Sequence, residues 1–289
     1  MTTTTETQRA LDKIISTIGD LPTTPAIIVA LTNLTSDINT DIRKITRAIM
    51  ADQSLTAKVL KLSNSSFYGR AKEVKTLHEA VIILGFMTLH SLIIATSTQT
   101  LYQKTVNDGV SGKLWEHAFA AALASRLVAQ AVHFPYIEEA FIGGLLHDIG
   151  KLVLMQKTPK EYQRIISDVE KARGSFADHE EAVLGFNHTH VGSLLLQKWS
   201  FPQELIDAVE QHHCPTGSDG DSRLLPFIIN VGNYMAKSLE VGFNDFTVDD
   251  LSGLTSASTL NLDAARLEEI QAQLKEHYDN EQDFFRLGT

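Results

Sequence analysis

The chain has one cysteine, Cys214, so no disulfide can close within it, and a reducing compartment is the expected environment. It also lacks any run of about 18 apolar residues able to cross a bilayer. The opening residues, MTTTTETQRA, have neither the basic start nor the apolar core of a secretory signal, which predicts a cytoplasmic address away from membranes. Beyond those threonines there is no low-complexity tract and no internal repeat. Alternating β-branched runs joined by hairpin turns are missing as well. Basic charge is in short supply: 25 Lys and Arg against 35 Asp and Glu give a formal net charge of −10, which opposes phosphate backbones and disfavours nucleic acid as a partner. What remains is an ordinary folded composition, 43% hydrophobic and 21% charged over 289 residues, long enough for one large domain or two helical subdomains.

Apolar residues recur at helical spacing. A first helix carries Leu11, Ile14, Ile15 and Ile18 and stops at Gly19. The prolines Pro22 and Pro25 open a second, and Ile42, Ile45 and Ile49 form the buried stripe of a third. Further helices are expected over 52–62 and 76–102, the latter interrupted at Gly85. The turn residues Asn107-Asp108-Gly109 mark a subdomain boundary. Beyond it, helices are expected over 114–131, 137–154, 162–172, 190–198, 202–213 and 224–239, with a last one over 264–278. The fold class is all-α. The expected organisation is a helical N-terminal subdomain over 7–106, a second helical bundle over 107–240 and a C-terminal helical extension over 241–289.

Histidine is the unusual residue. Of eleven, eight fall in one stretch: His117, His133, His147, His179, His188, His190, His212 and His213. His147 and Asp148 sit side by side in an apolar helix bounded by glycines, where an imidazole and a carboxylate can grip one cation while Gly143 and Gly144 let a neighbouring helix approach. Alone, such a pair is more often a satisfied core pair. The context raises its weight. Leu114, His117, Ala121 and Ala124 share one helix face, which turns His117 inward beside small residues. His188 and the pair His212-His213 bring ligand-type side chains from further helices, and such convergence points to a metal site.

The order His117, His147-Asp148, His188, His212-His213 resembles the HD superfamily of metal-dependent phosphohydrolases, and more narrowly its HDOD (HD-related output domain) branch. Longer phrases carry the narrower match: Leu21-Pro22 with Pro25, Ile49 to Asn64 followed by Tyr68-Gly69, Leu114 to His117, Phe141 to Leu154, and Trp199 with Pro202. The resemblance spans residues 7 to 240. It implies an N-terminal helical subdomain packed on an HD-like bundle, roles in bacterial signal transduction, and often no demonstrated catalysis. It also implies a metal set of His117, His147, Asp148, His188, His212 and His213, holding a divalent transition metal (iron, manganese or zinc), with an empty degenerate site as the alternative. The active HD pattern closes with an aspartate on a late helix. Here the resemblance places Asn233 at that position, and a neutral amide binds a divalent ion less well than a carboxylate.

Other candidates carry less. Lys151 is close enough to the His-Asp pair to neutralise a phosphate, although lysines after a helix glycine are usually solvated. Cys214, beside two histidines, reads as small packing before it reads as a ligand, and His179 and His190 read as surface residues. Two short helices around Met50-Ala51-Asp52-Gln53 superficially resemble a helix-turn-helix with Lys58 and Lys61 on its second helix, but acidic charge opposes DNA reading. The expected function is a non-catalytic or weakly catalytic regulatory module that responds to a signalling protein partner or a small-molecule or nucleotide ligand. The alternative is a metal-dependent phosphohydrolase acting on a nucleotide or other phosphate ester. After His212-His213 the chain reads Cys214-Pro215-Thr216-Gly217, without the Gly-Tyr-Pro phrase of cyclic-dinucleotide phosphodiesterases in this superfamily.

Overall fold

A computed structural model describes residues 49–50, 52–64, 73–105, 109–172, 174–216, 224–243 and 251–280. The expected helices around Leu11 to Ile18, Pro22 to Pro25 and Ile42 to Ile45 lie outside the described residues, as do Tyr68-Gly69 and Asn107-Asp108 of the expected boundary. The described residues are all-α, with no strand among them.

Each early helix starts where a polar side chain takes over an orphan backbone donor. Helix α1, Gln53–Ser63, is capped by Asp52, which accepts from Leu55 N at 3.0 Å. Helix α2, Leu77–Leu84, is capped by Thr76 and ends at Gly85, and α3, Phe86–Thr105, follows directly, so the expected break falls where the glycine put it. Helix α4, Val110–Ala131, is the long central element. It packs against α3, against α5 (Ile137–Leu146), against α11 (Leu225–Ser238) and against the last helix, α13 (Ala264–Asn280). An aromatic series runs across this centre, from Tyr102 to Trp115 (5.8 Å between rings), then Phe119 (5.4 Å) and Phe141 (6.3 Å). These rings belong to one contiguous apolar cluster reaching from Val59 of α1 to Ile229 of α11 and Leu274 of α13.

Two glycines set helix spacing. A Cβ on Gly144 of α5 would lie 2.6 Å from the Ala121 carbonyl oxygen of α4, so the expected close approach is real and its neighbour is α4. A Cβ on Gly150 would lie 2.0 Å from the His188 carbonyl oxygen, which brings α6 (Ile149–Lys157) against α9 (His188–Lys198) backbone to backbone. The remaining elements are α7 (Pro159–Ala172), α8 (Phe176–Leu184), α10 (Gln203–Gln211), and the short α12 (Thr255–Thr259). Helix α8 had no counterpart in the sequence pattern. The expected continuous helix over 137–154 is corrected: the chain turns at His147 and Asp148, between α5 and α6. On one unbroken helix adjacent side chains diverge by about 100°. The turn removes that divergence and lets both residues face one point.

Candidate metal centre

Four elements deliver the histidines. His117 projects from α4, His147 and Asp148 from the α5–α6 turn, His188 from the first residue of α9, and His212 and His213 from the end of α10. Local bonds aim them. The Nδ1 atoms of His147 and His212 each lie 2.7 Å from the carbonyl oxygen three residues earlier, Gly144 and Val209 respectively. With Nδ1 donating there, each ring turns an unprotonated Nε2 inward, and neither Nε2 has a hydrogen-bond partner. Asn187 caps α9 by accepting from Thr189 N, while Glu180 of α8 accepts from both His188 N (2.7 Å) and His188 Nδ1 (2.6 Å). Asn230 of α11 donates to the His212 carbonyl oxygen at 2.7 Å and fixes the end of α10.

Asp148 lies at the middle. Its Oδ2 is 3.6 Å from His117 Nε2 and 3.3 Å from His147 Nε2, and its Oδ1 is 3.1 Å from His188 Nε2 and 3.9 Å from His212 Nε2. His213 Nε2 is 3.1 Å from His188 Nε2. Two ligand sets result, His117 with His147 and Asp148, and His188 with His212 and His213, each with its donor atoms within 4.8 Å of one another. All six sequence-derived residues are therefore brought together.

The electrostatics of Asp148, His117 and His212 suit cation binding, whereas His188 and the Lys151 ammonium oppose it. Burial raises the Asp148 pKa, but the surrounding imidazoles, the Lys151 ammonium and the hydrogen bond from His188 outweigh it, holding the carboxyl well below its usual range. Burial pushes His117 and His212 well below the usual imidazole range, and neighbouring imidazoles add to the effect, so both stay neutral as ligands must. His213 is lowered by burial and by His188. For His188 burial acts downward, yet the Glu180 carboxylate prevails and raises it. Buried, bare Nε2 atoms held by backbone carbonyls around an ionised carboxylate are the donor set and support that a divalent transition metal requires, so these residues fit the implied ion.

A match to the HDOD domain family covers residues 21–215, two thirds of the sequence. The chain belongs to the HDOD family. A Treponema pallidum relative, itself uncharacterised, is 26% identical over 215 residues, and the matched part spans 72% of this chain but only 40% of that protein. Among solved structures, an HDOD domain protein of unknown function from Geobacter sulfurreducens superposes with a TM-score of 0.80 at 24% identity, covering 93% of this chain and 97% of its own. A candidate phosphohydrolase from Shewanella amazonensis gives 0.74 at 22% identity, with coverages of 94% and 96%. A candidate signal transduction protein from Marinobacter aquaeolei gives 0.72 at 22% identity, covering 96% of this chain and 64% of that one. At such identities the HDOD fold is what these structures share with this chain.

Three residues depart from their sequence reading. Lys151 is buried, with Nζ 2.7 Å from Asp148 Oδ2 and 4.4 Å from the centre of the Phe176 ring, because the turn before α6 points it back at Asp148 instead of into solvent. Cys214 is exposed and is neither packing nor ligand. His179 is half-buried beside Gly174, whereas His190 is exposed as expected. Asn233 is buried, with Oδ1 unpartnered. It shares a face of α11 with Asn230, which touches His212, and with Lys237, whose charge reaches His117 and His213. Glu180 is the residue that sequence reasoning missed. An acidic run around His179 reads as solvated, and only the helical phase of Glu180 with the apolar Phe176 and Ala177 signalled otherwise. In the segment that superficially resembles a helix-turn-helix, Lys58 Nζ is 3.2 Å from Thr100 Oγ1, so this side chain lies along α3. No helix of the described residues is long and apolar enough to cross a membrane.

Proposed function

We propose that this chain is a regulatory module of signal transduction whose HD-like half carries a degenerate, at most weakly catalytic, metal centre. The carrying observation is closure. His147, His188 and His212 are fully buried, and the cavity touching His117, Asp148 and Lys151 is only about 10 Å³, room for a single water. Phe176 and Phe243 line the same space, their rings 5.4 Å apart, and a cavity of that size does not hold a phosphate ester. Lys151 strengthens the reading, since its ammonium occupies the Asp148 oxygen that His117 and His147 face and competes with any cation there. The Marinobacter likeness to a candidate signalling protein points the same way.

In this reading His117, His147 and Asp148 form one ligand set and His188, His212 and His213 a second, with Asn233 supplying an amide where a carboxylate would add charge. A bound divalent ion would supply Lewis-acid charge at this point. The chain's own residues do the rest: Glu180 orients His188, the carbonyls of Gly144 and Val209 orient His147 and His212, and the two phenylalanines flank the small cavity beside Asp148. A metal-dependent phosphohydrolase is the second reading, favoured by the bare Nε2 atoms around Asp148 and by Lys151 as a phosphate contact.

Calorimetric titration of manganese, iron(II) and zinc into the parent, Asn233→Asp and His147→Ala proteins tests both. Weak binding by the parent is expected, about tenfold tighter binding by Asn233→Asp, and none by His147→Ala. Asn233→Asp is expected to remain a poor enzyme, because hydrolysis also needs a positioned substrate. Robust metal-dependent turnover of nucleotides or phosphate esters by the parent, lost in His147→Ala, would replace the regulatory reading with the enzymatic one.

A further inference from the structure

On the far side of Phe243 lies a second cavity of about 570 Å³, within the size range of small-molecule sites. Lys113 of α4, Met155 of α6, Tyr162, Ile166 and Ser167 of α7, and Phe243 line it. Its walls are mixed in the way ligand sites are. Met155, Ile166 and the Phe243 ring offer apolar surface, and Lys113 Nζ stands 4.8 Å above the centre of that ring. The same ammonium is 3.4 Å from Glu170 Oε1, but both side chains are about half exposed, and a pair of that kind contributes little and can yield to another anion. Once Glu170 has swung away into solvent, the single ammonium can balance one negative charge. It cannot balance a polyphosphate.

We propose that this cavity is a binding site for a small aromatic monoanion, such as an aryl carboxylate or sulfonate, with its ring against Phe243 and Ile166 and its anionic group on Lys113. The site stands on its own geometry. Its role as an effector site rests on the regulatory reading above, and two contacts connect it to the histidine centre. Tyr162 forms part of the cavity wall and donates through its hydroxyl to Glu180 Oε1 at 2.7 Å, while Glu180 Oε2 holds His188 Nδ1 at 2.6 Å. Phe243 meets Phe176 edge to face, and Phe176 lies under Lys151. An occupant touching Tyr162 and Phe243 therefore presses on both the residue that orients His188 and the pair that lines the small cavity beside Asp148.

The test uses the full chain and 8-anilinonaphthalene-1-sulfonate, an aromatic monoanion whose fluorescence rises in apolar surroundings. The parent is expected to bind it saturably at one site. Ser167→Trp, which fills the cavity, and Gln163→Trp, at its exposed rim, should each weaken binding at least tenfold, and Lys113→Glu at least fivefold. Circular dichroism melts report whether each variant is folded, and Gln163→Trp decides the question if Ser167→Trp is not. Indole-3-acetate should displace the probe at lower concentration than ATP. No binding by the parent, unchanged affinity in folded Trp variants, or stronger displacement by ATP overturns the site. The effector role is read separately, as at least a threefold change in manganese affinity when the probe is saturating. Probe binding that leaves manganese affinity unchanged overturns the effector role and leaves the site in place.

Discussion

The histidine centre and helix α3 both bury polar side chains, yet among their histidines only those of the centre gather into sets that could hold a metal ion. His90 of α3 is 5% exposed, stacks on Phe86 at 6.5 Å, and has both ring nitrogens without a hydrogen-bond partner. Nearby on the same helix Thr88 donates to Glu138 Oε1, which also pairs with Arg126 at 2.6 Å. At the centre each of His147 and His212 has one nitrogen committed to a carbonyl and the other aimed into the cluster around Asp148. Burial of a histidine is thus uninformative by itself. What separates His147 and His212 from His90 is an anchored Nδ1 together with a shared carboxylate, and His90 has neither.

The largest expected effect removes that carboxylate. Asp148→Ala should abolish divalent-metal binding and lower unfolding free energy by about 3–5 kcal/mol, because Lys151 and His188 lose their shared acceptor in a buried setting. His90→Leu should leave metal binding unchanged and cost nothing at pH 7. Urea denaturation and calorimetry on both variants would break the comparison if His90→Leu proved the more damaging.

Acid is the next probe. Burial lowers the His90 pKa from 6.5 to about 4, so the unfolded chain takes up this proton first and stability falls as pH drops from 6.5 towards 4. The full loss from this one residue is about 3 kcal/mol. His90→Leu should flatten that part of the stability–pH curve, and an unchanged slope would show that His90 is accessible to protons in the folded protein.

The smallest effects compare single hydroxyls. Tyr162→Phe removes one donor from the Glu180 carboxylate and should cost about 2 kcal/mol, whereas Thr88→Val leaves Glu138 its Arg126 partner and should cost about 1 kcal/mol. Equal losses by chemical denaturation would mean that Glu180 gains nothing from its position beside His188.

Much of the centre was legible because helical phase is a local property. The spacing of Leu114, His117, Ala121 and Ala124 turned His117 inward, and the order of the histidines carried the family resemblance that the domain match bears out. The break after Gly85 and the helix over 264–280 were legible for the same reason. Glu180 and Lys151 were misread, since an acidic run and a lysine after a glycine both look solvated until the partner that satisfies them is known. The turn at His147 and Asp148 was hidden inside a continuous apolar pattern.

By itself, then, the sequence determined the all-α class, the family and the identity of six converging side chains, because periodicity and residue order are written along the chain. The tertiary structure alone decided which atoms face Asp148, that Lys151 pairs with it, and that Phe176 and Phe243 line the small cavity beside it, next to a larger one. Each of those facts depends on residues from different helices meeting within a few ångströms, and distances across helices are set by packing that no single stretch of sequence encodes.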